Sequence, residues 1–155
     1  MPDVTILLGS KNDLMIGEKA LETLRRFEVS AELLIASAHR TPDRLKEIVT
    51  RSDAKIFIAI AGLSAALPGA VAALTTKPVI GVPVSGKVNL DSILSIIQMP
   101  PGIPVAAVGL DRGENAALLA LEILALSDDR IQRKLVDYRR EMAKQIEIDS
   151  QEVQH

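Results

Sequence analysis

Ala31-Glu32-Leu33-Leu34-Ile35-Ala36-Ser37-Ala38-His39-Arg40-Thr41-Pro42 sets a strand, a turn and a helix start one after another. Residues Ala31 to Ile35 read as a buried strand. Thr41-Pro42-Asp43-Arg44 then opens a helix, with Thr41 as N-cap and Pro42 at the first helical position, where its missing N–H is no loss. Between the two, the turn gathers a titratable base (His39), a permanent cation (Arg40) and two hydroxyls (Ser37 and Thr41). In an open parallel sheet such turns lie at the carboxyl ends of the strands, where ligands bind and helix N-termini favour anions. The plainer reading of His39 is a ring that caps or packs locally. The adjacent Arg40 and the flanking hydroxyls favour a functional one.

The same grammar repeats outward from this stretch. Val4 to Leu8 is an apolar run closed by Gly9-Ser10, and apolar residues recur at helical spacing from Asp13 to Phe27. Ile56 to Ile60 is a strand followed by a helix beginning near Ser64. Pro78 to Val84 leads to a helix over Asp91 to Gln98, and Ile103 to Val108 leads to one over Glu114 to Leu126. Five such units, with strands apolar on both faces, predict an α/β fold: a three-layer, doubly wound parallel sheet of flavodoxin-like strand order 2-1-3-4-5, plus a C-terminal helix.

That last helix, from Asp128 to about Ile146, is polar and carries Arg130, Arg133, Lys134, Arg139, Arg140 and Lys144, the pattern of a solvated face. The helix before it, Asn115 to Leu126, is apolar nearly all round and has to be covered on more than one side. In a chain this small the second cover is expected to be another subunit, which predicts a homo-oligomer. Residues 1–127 are read as the catalytic α/β domain, and 128–155 as a helix and tail packing on that domain or on a neighbouring subunit.

Composition narrows the function. With 155 residues, 48% hydrophobic and 25% charged, the chain can bury a real core and reads as one globular domain. A net charge of −2 with dispersed basic residues offers no footprint for nucleic acid or an anionic membrane, so any anionic ligand is small and locally bound. Cysteine is absent, which excludes disulfides, thiolate catalysis and Cys-based metal sites. The longest apolar run, Ile56 to Leu67, falls short of the ~20 residues that span a bilayer. No basic n-region or cleavage site opens the chain, and a soluble, cytoplasmic protein is expected.

Three loops should converge on such a sheet. In Gly9-Ser10-Lys11-Asn12-Asp13 a glycine lets backbone approach a phosphate, the hydroxyl donates to it, and Asp13 can accept from sugar hydroxyls. Ser10-x-x-Asp13 is equally an ordinary capping box. Ser37 to Pro42 is the second loop. The third, Ala61-Gly62-Leu63-Ser64-Ala65-Ala66-Leu67-Pro68-Gly69, is rich in small residues that could close over a flat ligand or merely pack a helix on the sheet. A fourth loop, Gln98 to Pro104, is stiffened by three prolines and is either a plain turn or a wall of the site.

Together these segments resemble the PurE family of de novo purine biosynthesis. The family's Gly-Ser-x-x-Asp loop stands at Gly9 to Asp13, its Ser-Ala-His-Arg-Thr-Pro at Ser37 to Pro42 and its Leu-Pro-Gly at Leu67 to Gly69. The strand Pro78 to Val84, the run Asp91 to Pro100 and Asn115-Ala116-Ala117 match it as well, in order, from about Val4 to Leu126. The resemblance implies carboxylation chemistry on 5-aminoimidazole ribonucleotide without metal or organic cofactor, in an octamer. It makes His39 the general acid/base, gives Ser10 and Arg40 the phosphate and Asp13 the ribose hydroxyls, has Ser37 support the loop, and adds Gly62, Ser64 and Leu67 as substrate-binding residues. The residues agree on their own terms. A carbon–carbon bond to CO2 at an aromatic carbon requires removal of a ring proton, and a side chain titrating near neutrality suits that task. Arg40 is a fixed cationic fork suited to phosphate.

One departure bears on the reaction. Family members that act as mutases, moving CO2 from N5 to C4, resemble one another in a third loop with a second histidine, and here Ala66 stands at that position. The sequence alone therefore ranks the direct carboxylase, a lyase joining the nucleotide to dissolved CO2, above the N5-carboxyaminoimidazole ribonucleotide mutase, an isomerase. A non-catalytic flavodoxin-like nucleotide-binding module is a remoter reading. A flavin site is disfavoured because Phe27, Phe57 and Tyr138 all lie away from the strand-end loops. A receiver-type regulatory domain fails because the loop from Ala61 has no acidic residue.

Overall fold

The structure, a computed structural model, describes residues 1–154. It divides into two compact units, Met1–Ala120 and the segment from Leu121 onward.

The first unit is built on a five-stranded parallel sheet, β1 (Val4–Leu8), β2 (Ala31–Ile35), β3 (Ile56–Ala61), β4 (Val79–Pro83) and β5 (Ala106–Ala107), in the order 2-1-3-4-5. The helices are α1 (Leu14–Arg26), α2 (Pro42–Arg51), α3 (Leu67–Ala72), α4 (Asn89–Ile97) and the start of α5 (Gly113–Ala125). β1, β3 and β4 are buried along their whole length, as continuous apolar runs covered on both faces must be. Alternation along the strands sends Leu7, Phe57 and Ala59 into the core that receives Leu45 and Val49 of α2, Val71 of α3 and Ile96 of α4. The opposite face receives α1, which approaches so closely that a Cβ on Gly17 would lie 2.8 Å from Leu8 and Leu33 side chains. Gly81 plays the same part on β4, where a Cβ would come 2.5 Å from Ile96 and 3.2 Å from Pro68. Buried Thr5 is satisfied because its hydroxyl donates to Glu32 at 2.8 Å, directly across the β1–β2 register.

Several expectations need correction. β2 is an edge strand and is only half-buried, with Ile35 44% exposed. α2 begins at Pro42 as read, yet Thr41 does not cap it: its hydroxyl accepts from the Ser37 N–H (2.9 Å) and donates to the Ser37 carbonyl (3.2 Å), closing the loop instead. The third helix starts at Leu67 rather than Ser64, just ahead of Pro68 in its first turn. The fifth strand shrinks from Ile103–Val108 to Ala106–Ala107, because Pro104 has no N–H for the ladder and the position is an exposed edge.

The second unit takes the end of α5 and the helix α6 (Asp129–Val153), longer than the predicted Asp128 to Ile146. Asp128 caps it, accepting from the N–H groups of Arg130 and Ile131, and Arg139 reaches back to Glu122 at 2.9 Å. Ile131 and Leu135 are its buried residues, and every residue from Arg139 to Val153 is exposed, the apolar Met142, Ile146, Ile148 and Val153 included. No helix among the described residues is long and apolar enough to cross a membrane.

Candidate active site

Because the sheet is parallel, the loops after β1, β2, β3 and β4 all leave from one edge, and they enclose a cleft of about 620 Å³. Every candidate drawn from the sequence lines it: Ser10 and Asp13 from the first loop, Ser37, His39 and Arg40 from the second, and Gly62, Ser64 and Leu67 from the third.

The first loop is a short 3-10 turn, Lys11–Asp13, ahead of α1. Ser10 caps it, its oxygen accepting from the Asn12 N–H at 3.2 Å, and the Asp13 carboxylate takes a backbone hydrogen bond from Ser10. The capping box is therefore real and is compatible with ligand binding, since the Ser10 O–H proton and one Asp13 oxygen are left over. Asp13 is only 8% exposed. Burial pushes its carboxyl above the usual carboxylate range, the Ser10 hydrogen bond pulls it back, and the nearby Asp111 carboxylate adds to the upward push.

In the second loop the Ser37 hydroxyl accepts from the Arg40 backbone N–H (3.1 Å) and from Arg40 Nε (3.4 Å). Arg40 also donates through a terminal nitrogen to the Gly9 carbonyl at 3.2 Å, which ties the second loop to the first. Two anchors on one guanidinium leave further N–H groups of its fork for an anion. His39 follows the loop out into the cleft and is exposed.

The third loop runs from Gly62 to the start of α3 and includes a cis peptide between Leu63 and Ser64. Gly62 and Ser64 line the cleft, and Leu67, 2% exposed, forms part of its floor. Ala66 does not line it; this residue is half-buried at the N-cap of α3. The proline-rich fourth loop does not form a wall here either, since Met99 packs against Gly69 of α3.

Sequence reasoning passed over Val84 and Ser85, which follow β4 and line the cleft, and Asp111, which binds Ser85. The topology itself was the available signal, because the residue after a fourth parallel strand opens onto the same edge as the other three. Among the described residues no cluster of three or more His, Asp or Glu side chains is placed to hold a metal ion.

The sequence profile of a family described as AIR carboxylase matches residues 3–145. The chain is 58% identical to an N5-carboxyaminoimidazole ribonucleotide mutase of Methanocaldococcus jannaschii, over 97% of this chain and 96% of that protein. It is 52% identical to a mutase of the same name from Pyrococcus abyssi, over 92% of this chain and 84% of the other. Among solved structures it is similar to a Treponema denticola PurE2 variant, with a TM-score of 0.89 and 32% identity over 98% of each chain.

A carboxyl whose folded pKa is raised contributes stability that is fully present below its unfolded pKa and lost as pH rises through the folded value. Asp13 thus works against the fold at neutral pH. Asp13→Asn, which cannot ionise, is expected to melt at a higher temperature than wild type at pH 7, with the gap closing below about pH 3.9. Thermal melts at the two pH values check this, and a gap that is absent or independent of pH would contradict it.

Proposed function

We propose, from the premise that the chain belongs to the AIR carboxylase family, that it is the mutase converting N5-carboxyaminoimidazole ribonucleotide to the isomer carboxylated at C4. The observation that carries this reading is the meeting of an exposed histidine, an anchored arginine and a buried carboxylate in one cleft.

The reaction exchanges two substituents. N5 loses a carboxylate and gains a proton, while C4 loses a proton and gains the carboxylate. One group that takes the C4 proton and supplies the N5 proton balances the reaction, and the imidazole of His39 is the cleft group built both to accept a proton and to give one back. Arg40 and Ser10 would hold the phosphate, Arg40 as a cation already positioned by the Gly9 carbonyl and Ser10 through its uncommitted O–H. Asp13 would take the ribose hydroxyls, and Ser37 supports the second loop by fixing Arg40. Gly62, Ser64 and Leu67 would border the base and the migrating CO2.

Direct carboxylation by dissolved CO2, ranked first on the identity of Ala66, becomes the second reading. The names carried by the two archaeal relatives favour the mutase. Ala66 itself does not line the cleft, so its methyl neither donates to a ligand there nor narrows the space. The same reading places the enzyme with its small-molecule substrate in the cytoplasm.

Assembly belongs to this proposal. The expectation of a homo-oligomer rested on the all-apolar α5, in which Ala116, Ala117, Ala120, Leu121 and Ala125 are buried within the chain while Leu118, Leu119, Ile123 and Leu124 stay half-buried. The better-exposed apolar stripe is on α4, where Leu90, Leu94 and Ile97 recur at i, i+4 and i+7 and are 64%, 37% and 49% exposed. A second copy of the chain is the natural cover for it.

With the N5-carboxylated nucleotide labelled at the carboxylate, wild type is expected to retain the label in the C4 product in the presence of a CO2 trap. His39→Asn should lower that turnover by ~10²–10⁴-fold. Loss of label to the trap, together with a rate that rises with added bicarbonate, would restore the carboxylase reading. A His39→Asn rate within tenfold of wild type would remove the histidine from the chemistry.

Light scattering should give a multiple of the 16.7 kDa chain mass. Leu94→Asp should lower that mass while preserving helical circular dichroism, because the position is exposed in the single chain. An unchanged mass for the variant would exclude α4 from the interface.

A further inference from the structure

Beyond β4 the cleft is lined by Ser85, which is held from behind by Asp111, and neither residue has a role in the reading above. Asp111 lies in the loop after β5 and has a left-handed backbone (φ 61°), which aspartate tolerates better than most residues. Its N–H donates to the Pro83 carbonyl at 2.9 Å, and its carboxylate grips Ser85 with both oxygens, one accepting from the Ser85 N–H at 2.8 Å and the other from the Ser85 hydroxyl at 2.5 Å.

This grip fixes the polarity of the cleft wall. An ionised carboxylate has no proton to give, so the short contact uses the hydroxyl proton, and Ser85 Oγ can offer the cleft only lone pairs. The strand order also sets where that acceptor lies. Arg40 follows β2 and Ser85 follows β4, three strand spacings away in the order 2-1-3-4, or about 14 Å at ~4.8 Å per spacing. A mononucleotide laid across the strand ends with its phosphate at Arg40 therefore extends its base toward Ser85. The Asp111 carboxylate is also close enough to Asp13, in the first loop, to add to the upward push on its carboxyl.

We infer that Ser85 is a specificity-determining acceptor for an N–H of the base, namely the exocyclic 5-amino group, and that Asp111 is the positioning residue that makes it one. The inference rests on the substrate reading above and deepens it. A wall that only accepts selects a base carrying an amino donor and leaves an acceptor at that position unpaired, the kind of mismatch that polar sites reject most strongly.

The test compares two ligands by calorimetry: the C4-carboxylated aminoimidazole ribonucleotide, and its analogue lacking the 5-amino group but keeping phosphate, ribose and carboxylate. Wild type is expected to prefer the amino nucleotide by roughly tenfold or more. Ser85→Ala should abolish that preference and leave affinity for the deamino analogue unchanged. Ser85→Thr, which keeps the hydroxyl, should restore it. Asp111→Asn suits the left-handed backbone but presents an amide N–H to Ser85 Oγ, turning the hydroxyl proton toward the cleft, so it should lose the preference without lowering the melting temperature. Retention of the wild-type preference by Ser85→Ala, or equal weakening of both ligands in Ser85→Ala and Asp111→Asn, would overturn the inference while sparing the substrate reading. Binding of neither nucleotide by wild type would overturn the substrate reading and this inference with it.

Discussion

The parallel register of β1 with both of its neighbours is the constraint from which the site follows. Leu8 pairs with Ile35 on one side and with Ile60 on the other, so three strands end side by side. The chain beyond each must turn at the same edge, which brings Gly9, Ala36 and Ala61 together and, after them, the three loops that carry Ser10, Arg40 and Ser64. Slipping one strand by a single residue would invert its buried and outward side chains, and the continuous apolar runs of β1 and β3, buried on both faces, depend on close helix packing to hold the register. Gly17 and Gly81 permit that packing by letting helices approach the sheet where any side chain would collide.

Local signals were enough to locate most of this. Apolar runs closed by Gly9-Ser10 and by Ala36-Ser37, followed by helical spacing, marked strand and helix pairs to within a residue or two, and the pairing of Pro42 with a helix start was read correctly. The misreadings share one cause, which is that tertiary position overrides local pattern. β2 looks as apolar as its neighbours but lies at an edge. The segment Ile103 to Val108 looks like a strand, although at an exposed edge beside Pro104 only two residues pair. Thr41 has the chemistry of a cap, yet the nearer groups of Ser37 take its hydroxyl. Ser85 and Asp111 escaped notice because neither belongs to a motif, and they become partners only when the loops after β4 and β5 are placed next to each other.

The electrostatics of the cleft run in one direction. At the β2 end, Arg40 is anchored on the Gly9 carbonyl and on Ser37, which holds a cation in place before any ligand arrives and reduces the ordering cost of binding an anion. In the middle, Asp13 is kept in an environment that disfavours its charge, a cost to the fold that functional sites commonly carry. At the β4 end, Asp111 sets the direction of a hydroxyl proton. Phosphate, sugar and base would thus each meet a group of fitting polarity, and His39 reaches the cleft from the same loop that holds the cation.

All of this requires that the nucleotide lie across the strand ends. The most direct measurement is the backbone-amide chemical-shift map of the labelled protein titrated with the C4-carboxylated nucleotide. The account predicts that the largest perturbations fall at residues 9–13, 37–40, 62–67 and 84–85. A second depression lies at the opposite edge of the sheet, lined by Val49, Thr50, Ser52, Thr75, Thr76 and Lys77. Perturbations centred there, with the four loops unmoved, would contradict the account.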